Sequence, residues 1–214
     1  GERCALLYRV AGEEPDPVGN YPMLEPFLTA GRNGKVVIVD DLDDAIAVNK
    51  TILATVSEEL DAGRLPRGLA AELGGFVPWS RVLEETHADI GGERLDLPAW
   101  CLANRESLVL KPGAGYGGRG VTIGCETEPE RWAAALDEAL ASSEAWLVQR
   151  LARSHPTTTS IVRCGSLATE ETYVDYGSFA MAGTVPAAIV RKTAPFGGPS
   201  RRVKHGAAGP VFVV

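Results

Sequence analysis

The stretch that most constrains this chain is residues 107–124, SLVLKPGAGYGGRGVTIG. Leu108, Val109 and Leu110 form a short apolar run that stops at Lys111 and Pro112. That is the pattern of a buried strand ended by a residue with no N–H to give to a ladder. Glycines follow at 113, 115, 117, 118 and 120, and then Val121, Thr122 and Ile123 predict a second strand closed by Gly124. A glycine-rich segment between two strands is a hairpin whose backbone N–H groups can lie against an anion, because no Cβ keeps the two apart. Lys111, at the strand end, offers the same anion a point charge. The pattern equally describes a ligand-free hairpin, since glycine often does no more than mark a turn.

Two phosphate motifs are excluded or weak. The Walker pattern needs Gly-Lys-Ser/Thr after the loop and a helix behind it, whereas here the lysine precedes the loop. Gly115, Gly117 and Gly120 satisfy G-x-G-x-x-G, but that fingerprint should open a helix, and Val121-Thr122-Ile123 is β-branched.

Around the hairpin the chain alternates strand and helix patterns. Residues 4–10 and 35–39 are apolar strands, with a short helix over 23–30 and a Gly-Arg-Asn-Gly turn between them. Asp40 to Asp44 either cap the following helix or offer carboxylates to ribose or metal. Ile46, Val48, Ile52, Leu53, Val56 and Leu60 give one apolar helical face ended by Gly63, with Lys50 inside that helix. Further on, the pattern predicts a helical turn at 69–73, a helix over 81–86 and an acidic loop over 88–97. After the hairpin, Thr127 is a candidate N-cap for a helix whose stripe is Trp132, Ala135, Leu136, Ala139 and Leu140. Residues 146–149 then form a strand, 154–160 a polar loop and 161–164 a further strand.

Composition narrows the partners. A formal net charge of -7 over 214 residues argues against a nucleic-acid groove or an anionic membrane as the main partner. No run reaches the roughly 18 apolar residues of a membrane span, and residues 1–3 do not begin a signal peptide. The first residue is not methionine, which leaves processing, an engineered start or a missing upstream part open. Cysteines 4, 101, 125 and 164 are scattered, without C-x-x-C or a histidine at ligand spacing, so a reduced, cytoplasmic protein is expected and structural zinc is not.

Lys-Pro, a glycine-rich hairpin, a strand, an amphipathic helix and a strand ending WLVQRL together resemble the nucleotide-binding half of ATP-grasp ligases. The loop KPGAGYGGRGV is most similar to those of circularly permuted ATP-grasp proteins of the glutathionylspermidine synthase type. The resemblance is specific over residues 104–151 and looser from 8 to the C-terminus. It implies two α+β lobes with ATP between them, and a reaction that joins a carboxylate to an amine through an acyl phosphate. The implied division is an N-terminal part over 1–100, a small lobe over 101–150, and a C-terminal lobe over 151–214 with the metal and substrate site.

By the same resemblance, Lys50 and Lys111 hold phosphates and the loop with Gly113, Gly115, Tyr116, Gly117, Gly118 and Gly120 covers them. Gln149, Arg150 and Leu151 form the adenine hinge, where many relatives carry glutamate at the position of Gln149. Asp175 binds Mg2+, with Glu170 and Glu171 as runners-up or mere loop acids, and Arg191 steadies the acyl phosphate. One segment departs from the family. Residues 201–209, RRVKHGAAG, have no carboxylate and no asparagine where a metal ligand is usual. This keeps two other functions in view: a non-catalytic nucleotide- or peptide-binding module, and one part of a longer ligase completed by a missing N-terminal region or a partner subunit.

Overall fold

A computed structural model describes residues 6–8, 25–39, 49–115, 118–152, 156–163, 165–181, 184–193 and 206–210. The chain divides into two compact units, Gly1–Leu151 and Ala152–Val214.

The first unit opens with a parallel pair, β1 (Leu6–Tyr8) and β2 (Val37–Val39), joined through α1 (Glu25–Arg32). Its centre is a four-stranded antiparallel sheet in the order β3-β8-β6-β7, made of β3 (Ser80–Val82), β8 (Trp146–Arg150), β6 (Leu108–Pro112) and β7 (Thr122–Ile123). The expected hairpin is therefore present, with Val109 opposite Ile123 and Leu110 opposite Thr122. Side chains alternate across a strand. Register then puts Leu108, Leu110, Val148 and Arg81 on one face, and Val109, Lys111, Leu147, Gln149 and Ser80 on the other.

The first of these faces is closed by α4 (Leu97–Ala103) and α5 (Pro129–Leu140). The α5 stripe Trp132, Ala135, Leu136 and Ala139 is buried as its i, i+3, i+4, i+7 spacing requires. It packs with Leu97, Cys101, Leu108, Leu110 and Val148. Each large apolar side chain fully buried here contributes about 1.5–3 kcal/mol. The Trp132 indole N–H donates to the Cys101 carbonyl at 3.1 Å and so locks the two helices together. Asp96 caps α4 by accepting from the Ala99 N–H at 2.8 Å.

Several local expectations give way to tertiary pairing. Residues 81–86 are not helical: Arg81 and Val82 belong to β3, which pairs with β8. The acidic 88–97 stretch is a hairpin, β4 (His87–Ile90) and β5 (Glu93–Asp96), turning on Gly91 and Gly92 at φ 64° and 88°. Glu128, not Thr127, occupies the N-cap of α5, and the Thr127 hydroxyl donates to the Ile123 carbonyl at 2.7 Å. The helix expected from Asp44 is described as α2 (Ile52–Asp61), preceded by a turn over 49–51. Lys50 thus stands before the helix, not within it; Asp40 to Val48 lie outside the described residues. A further short helix, α3 (Arg67–Leu73), occupies the predicted 69–73 turn.

The second unit is an antiparallel sheet in the order β12-β11-β10-β9. Its strands are β9 (Thr157–Arg163), β10 (Ser166–Met181), β11 (Thr184–Thr193) and β12 (Gly206–Pro210). The polar 154–160 stretch is strand from Thr157 onward, Glu170 and Glu171 sit in β10 and not in a loop, and β12 runs over the small residues 206–210. Val211 to Val214 lie outside the described residues. Among the described residues no helix is long and apolar enough to cross a membrane.

Candidate functional site

Lys50 and Lys111 are 61 positions apart in sequence yet act on one another through space: burial lowers the Lys111 pKa below its usual value, and the Lys50 charge lowers it further. Burial lowers that of Lys50 as well. The backbone explains how they meet. After β6, the Gly113 N–H donates to the Ala145 carbonyl at 2.8 Å, while the Gly113 carbonyl accepts from the Lys50 N–H at 2.9 Å. The Lys50 ammonium then donates to the Gly115 carbonyl at 2.6 Å. Asn49 fixes the turn by accepting from both the N–H and the hydroxyl of Thr51, at 3.0 and 2.8 Å.

This crossing tolerates only glycine at 113. A Cβ there would stand 2.8 Å from Thr51 Cγ2 and 2.9 Å from the Ala145 carbonyl oxygen. Beyond it, Gly115, Gly118 and Gly120 all take positive φ, at 111°, 72° and 71°, a path that side chains with a Cβ rarely follow. Tyr116 and Gly117, also expected in the loop, lie outside the described residues. The first part of the loop is therefore held by Lys50 and the Ala145 carbonyl.

Lys111 reaches diagonally across the sheet, its ammonium donating to Gln149 Oε1 at 2.5 Å. The buried Gln149 passes its own Nε2–H to Ser80 Oγ at 2.7 Å, and the Ser80 hydroxyl donates to the Pro78 carbonyl at 2.8 Å. The Arg150 and Leu151 N–H groups donate to the Trp79 and Ser107 carbonyls at 2.9 and 2.8 Å. A base meeting this strand end thus finds both N–H groups already engaged. Arg105, just before β6, donates to the Gly124 carbonyl at 2.6 Å and to that of Thr127, and pairs with Glu106.

Sequence reasoning missed a second polar centre. Arg81, only 4% exposed, donates to Asp61 Oδ2 at 2.6 Å, Ser57 Oγ at 3.1 Å, and the Ser80 and Asp89 carbonyls at 2.8 and 3.1 Å. Its guanidinium also lies 4.9 Å from the Trp79 ring centre. The available clue was the run V-P-W-S-R, in which arginine follows an apolar segment. A cavity of about 460 Å³ borders this centre, lined by Asp61, Arg81, His87, Asp89 and Arg94 among others; neither lysine lines it.

In the second unit, Asp175 and Arg191 are direct cross-strand partners on β10 and β11, which fixes them at one register position. Their side chains lie outside the described residues. Among the described residues no three histidine, cysteine, aspartate or glutamate side chains gather as a metal site.

The fold and site thus define a mixed α+β chain in which Lys50 is bonded to a glycine-rich hairpin and acts through its charge on Lys111, in the strand that leads into it. No family model matches the chain. It is 31% identical over 209 residues to "Putative glutamate–cysteine ligase 2-2" of Frankia casuarinae, an alignment that covers 90% of this chain and 21% of that protein. It is 30% identical over 200 residues to "Putative glutamate–cysteine ligase 2-3" of Frankia alni, covering 88% of this chain and 20% of that protein. The chain therefore spans about a fifth of the length of the curated relatives it matches.

Proposed function

We propose that this chain is the nucleotide-binding part of an ATP-dependent ligase that joins a carboxylate to an amine, built on a circularly permuted ATP-grasp fold. The observation that carries the proposal is that Lys50 anchors the glycine loop, its N–H on the Gly113 carbonyl and its ammonium on the Gly115 carbonyl, while its charge acts on Lys111 in the strand that leads into that loop. Two partly buried ammoniums with neutral oxygens as their described partners hold uncompensated positive charge, and a polyphosphate relieves it. The relatives' names, which both specify a ligase that couples glutamate to cysteine, support the same class of reaction.

In this scheme the substrate carboxylate attacks the γ-phosphorus of ATP, ADP leaves, and the amine displaces phosphate from the acyl phosphate. Lys50 and Lys111 hold the phosphate oxygens, and the loop with Gly118 and Gly120 covers them and excludes water. Rate enhancement comes from placing charge and reactants, not from a covalent enzyme intermediate. Mg2+ would neutralise the polyphosphate. Asp175 is the proposed ligand and Arg191 the proposed partner of the acyl phosphate, but the described side chains do not assemble a metal site, so no step is derived through the ion. Phosphate release from ATP, measured with candidate carboxylate and amine pairs, tests the proposal; full activity in Lys111→Ala would refute it.

A second function is favoured by two observations, the fifth-length span of the relatives and the absence of acids in 201–209. It is a nucleotide-binding module that becomes a ligase only with further chain or a partner subunit. Such a module binds ATP with little dependence on Mg2+, whereas a complete site tightens with the ion.

A further inference from the structure

Resting on the nucleotide site proposed above, we infer that Gln149 is a positioning residue that holds the Lys111 ammonium toward an incoming polyphosphate without cancelling its charge. The side chain of Gln149 is 6% exposed and stands opposite Ser80 on one side and Val109 on the other, one diagonal step from Lys111. Its amide has one workable orientation. Oε1 accepts from the ammonium at 2.5 Å, and Nε2 donates to Ser80 Oγ at 2.7 Å. Turning the amide over would set its N–H groups against the ammonium's own donors, and would aim Oε1 at a hydroxyl whose proton is committed to Pro78.

The chain of bonds continues into the helix behind it, since the Ser80 N–H donates to Ser57 Oγ on α2 at 3.0 Å. The element that begins just after Lys50 is thereby tied to the strand that aims Lys111. An ammonium has three N–H donors, and Gln149 takes one. A glutamate there would occupy the same space but would neutralise Lys111, leaving one net positive charge where the glutamine leaves two. Gln149 thus serves through its side chain, in addition to any contact its backbone makes with a base.

The charged group that acts on Lys111 among the described residues is Lys50, whose repulsion favours the neutral amine; Gln149 accepts from the charged form and opposes it. The test is an NMR titration of the Lys111 side-chain signals in the full chain, with wild type, Gln149→Leu and Gln149→Glu compared from neutral to alkaline pH. Gln149→Leu should move the Lys111 midpoint to lower pH and Gln149→Glu should move it to higher pH. A residue that merely fills space would leave the Gln149→Leu midpoint at the wild-type value, which would overturn the inference; the Gln149→Glu shift checks that position 149 faces the ammonium. Should Gln149→Leu fail to fold, Ser80→Ala frees the amide and should shift the midpoint in the same direction by a smaller amount; no shift overturns the inference. Calorimetry with ATP on the same proteins should show about tenfold weaker binding for each Gln149 variant at neutral pH. Wild-type protein that binds no ATP contradicts the nucleotide site itself, while the Lys111 titration still decides the role of Gln149.

Discussion

Arg81 and Lys111 are cations on the two strands that flank β8, facing opposite sides of one sheet, and they have opposite surroundings. Arg81 is buried and spends its donors on Asp61, Ser57 and two carbonyls. Lys111 is half-buried, donates to a neutral amide oxygen, and is repelled by Lys50. A buried cation that has found its carboxylate serves architecture, because removing either partner strands a charge or a set of donors. A partly desolvated cation given only neutral acceptors is held ready for an anion from outside. The same sheet thus carries one centre that holds it together and one whose partners among the described residues are neutral, which is the centre proposed to take a ligand.

Replacing Arg81 by methionine should break that contrast most visibly. It removes four hydrogen bonds, one of them the ion pair to Asp61, whose side chain is 48% exposed, so the loss should be about 3 kcal/mol, read as a lowered denaturant midpoint. ATP affinity of the remaining folded protein should stay within about twofold. Lys111→Met should do the reverse, leaving stability within about 1 kcal/mol and weakening ATP binding by at least about tenfold, by calorimetry. Equal effects of the two changes on stability would erase the distinction.

Gly113→Ala should cost about 1–2 kcal/mol, because its methyl meets a threonine methyl and a carbonyl that cannot both withdraw. It should also weaken ATP binding, since the 49–51 turn must shift and carries Lys50 with it. The smallest effect is that of pH. Both lysine pKa values are lowered from 10.5, and a bound polyanion raises them, so ATP binding takes up protons in the alkaline range. Affinity should therefore be full at neutral pH and fall as pH rises through the lowered pKa values. By the same linkage but with the opposite sign, the fold itself should gain stability from these lysines as pH rises toward 10.5, because the unfolded chain holds the protons more tightly.

How much of this was legible in sequence follows the same division. The hairpin and α5 were readable because apolar runs, a proline stop, glycines and a helical stripe all agree locally. Lys111 was readable as a strand-end cation, but its contact with Lys50 depends on Gly113 passing beneath the 49–51 turn, a contact between distant segments. Arg81 was misread as helical because Arg, Val, Leu and Glu form helices well, and pairing with β8 overrode that propensity. The β4–β5 hairpin was hidden by its acidic composition, although Gly91-Gly92 is the two-residue turn that favours one. Thr157 to Ser160, polar and so read as loop, is rich in β-branched residues and pairs with β10. The role of Gln149 in aiming Lys111 had no local sign at all, because it depends on the register of three strands.

The most direct test of the lysine pair is a double-mutant cycle on ATP binding with wild type, Lys50→Ala, Lys111→Ala and the double variant, followed by calorimetry. If both ammoniums grip one polyphosphate, each single change weakens ATP binding by about tenfold or more, and the double variant departs from the sum of the two by at least about 0.5 kcal/mol. Unchanged affinity in either single variant, or no measurable ATP binding by the wild-type chain, would contradict it.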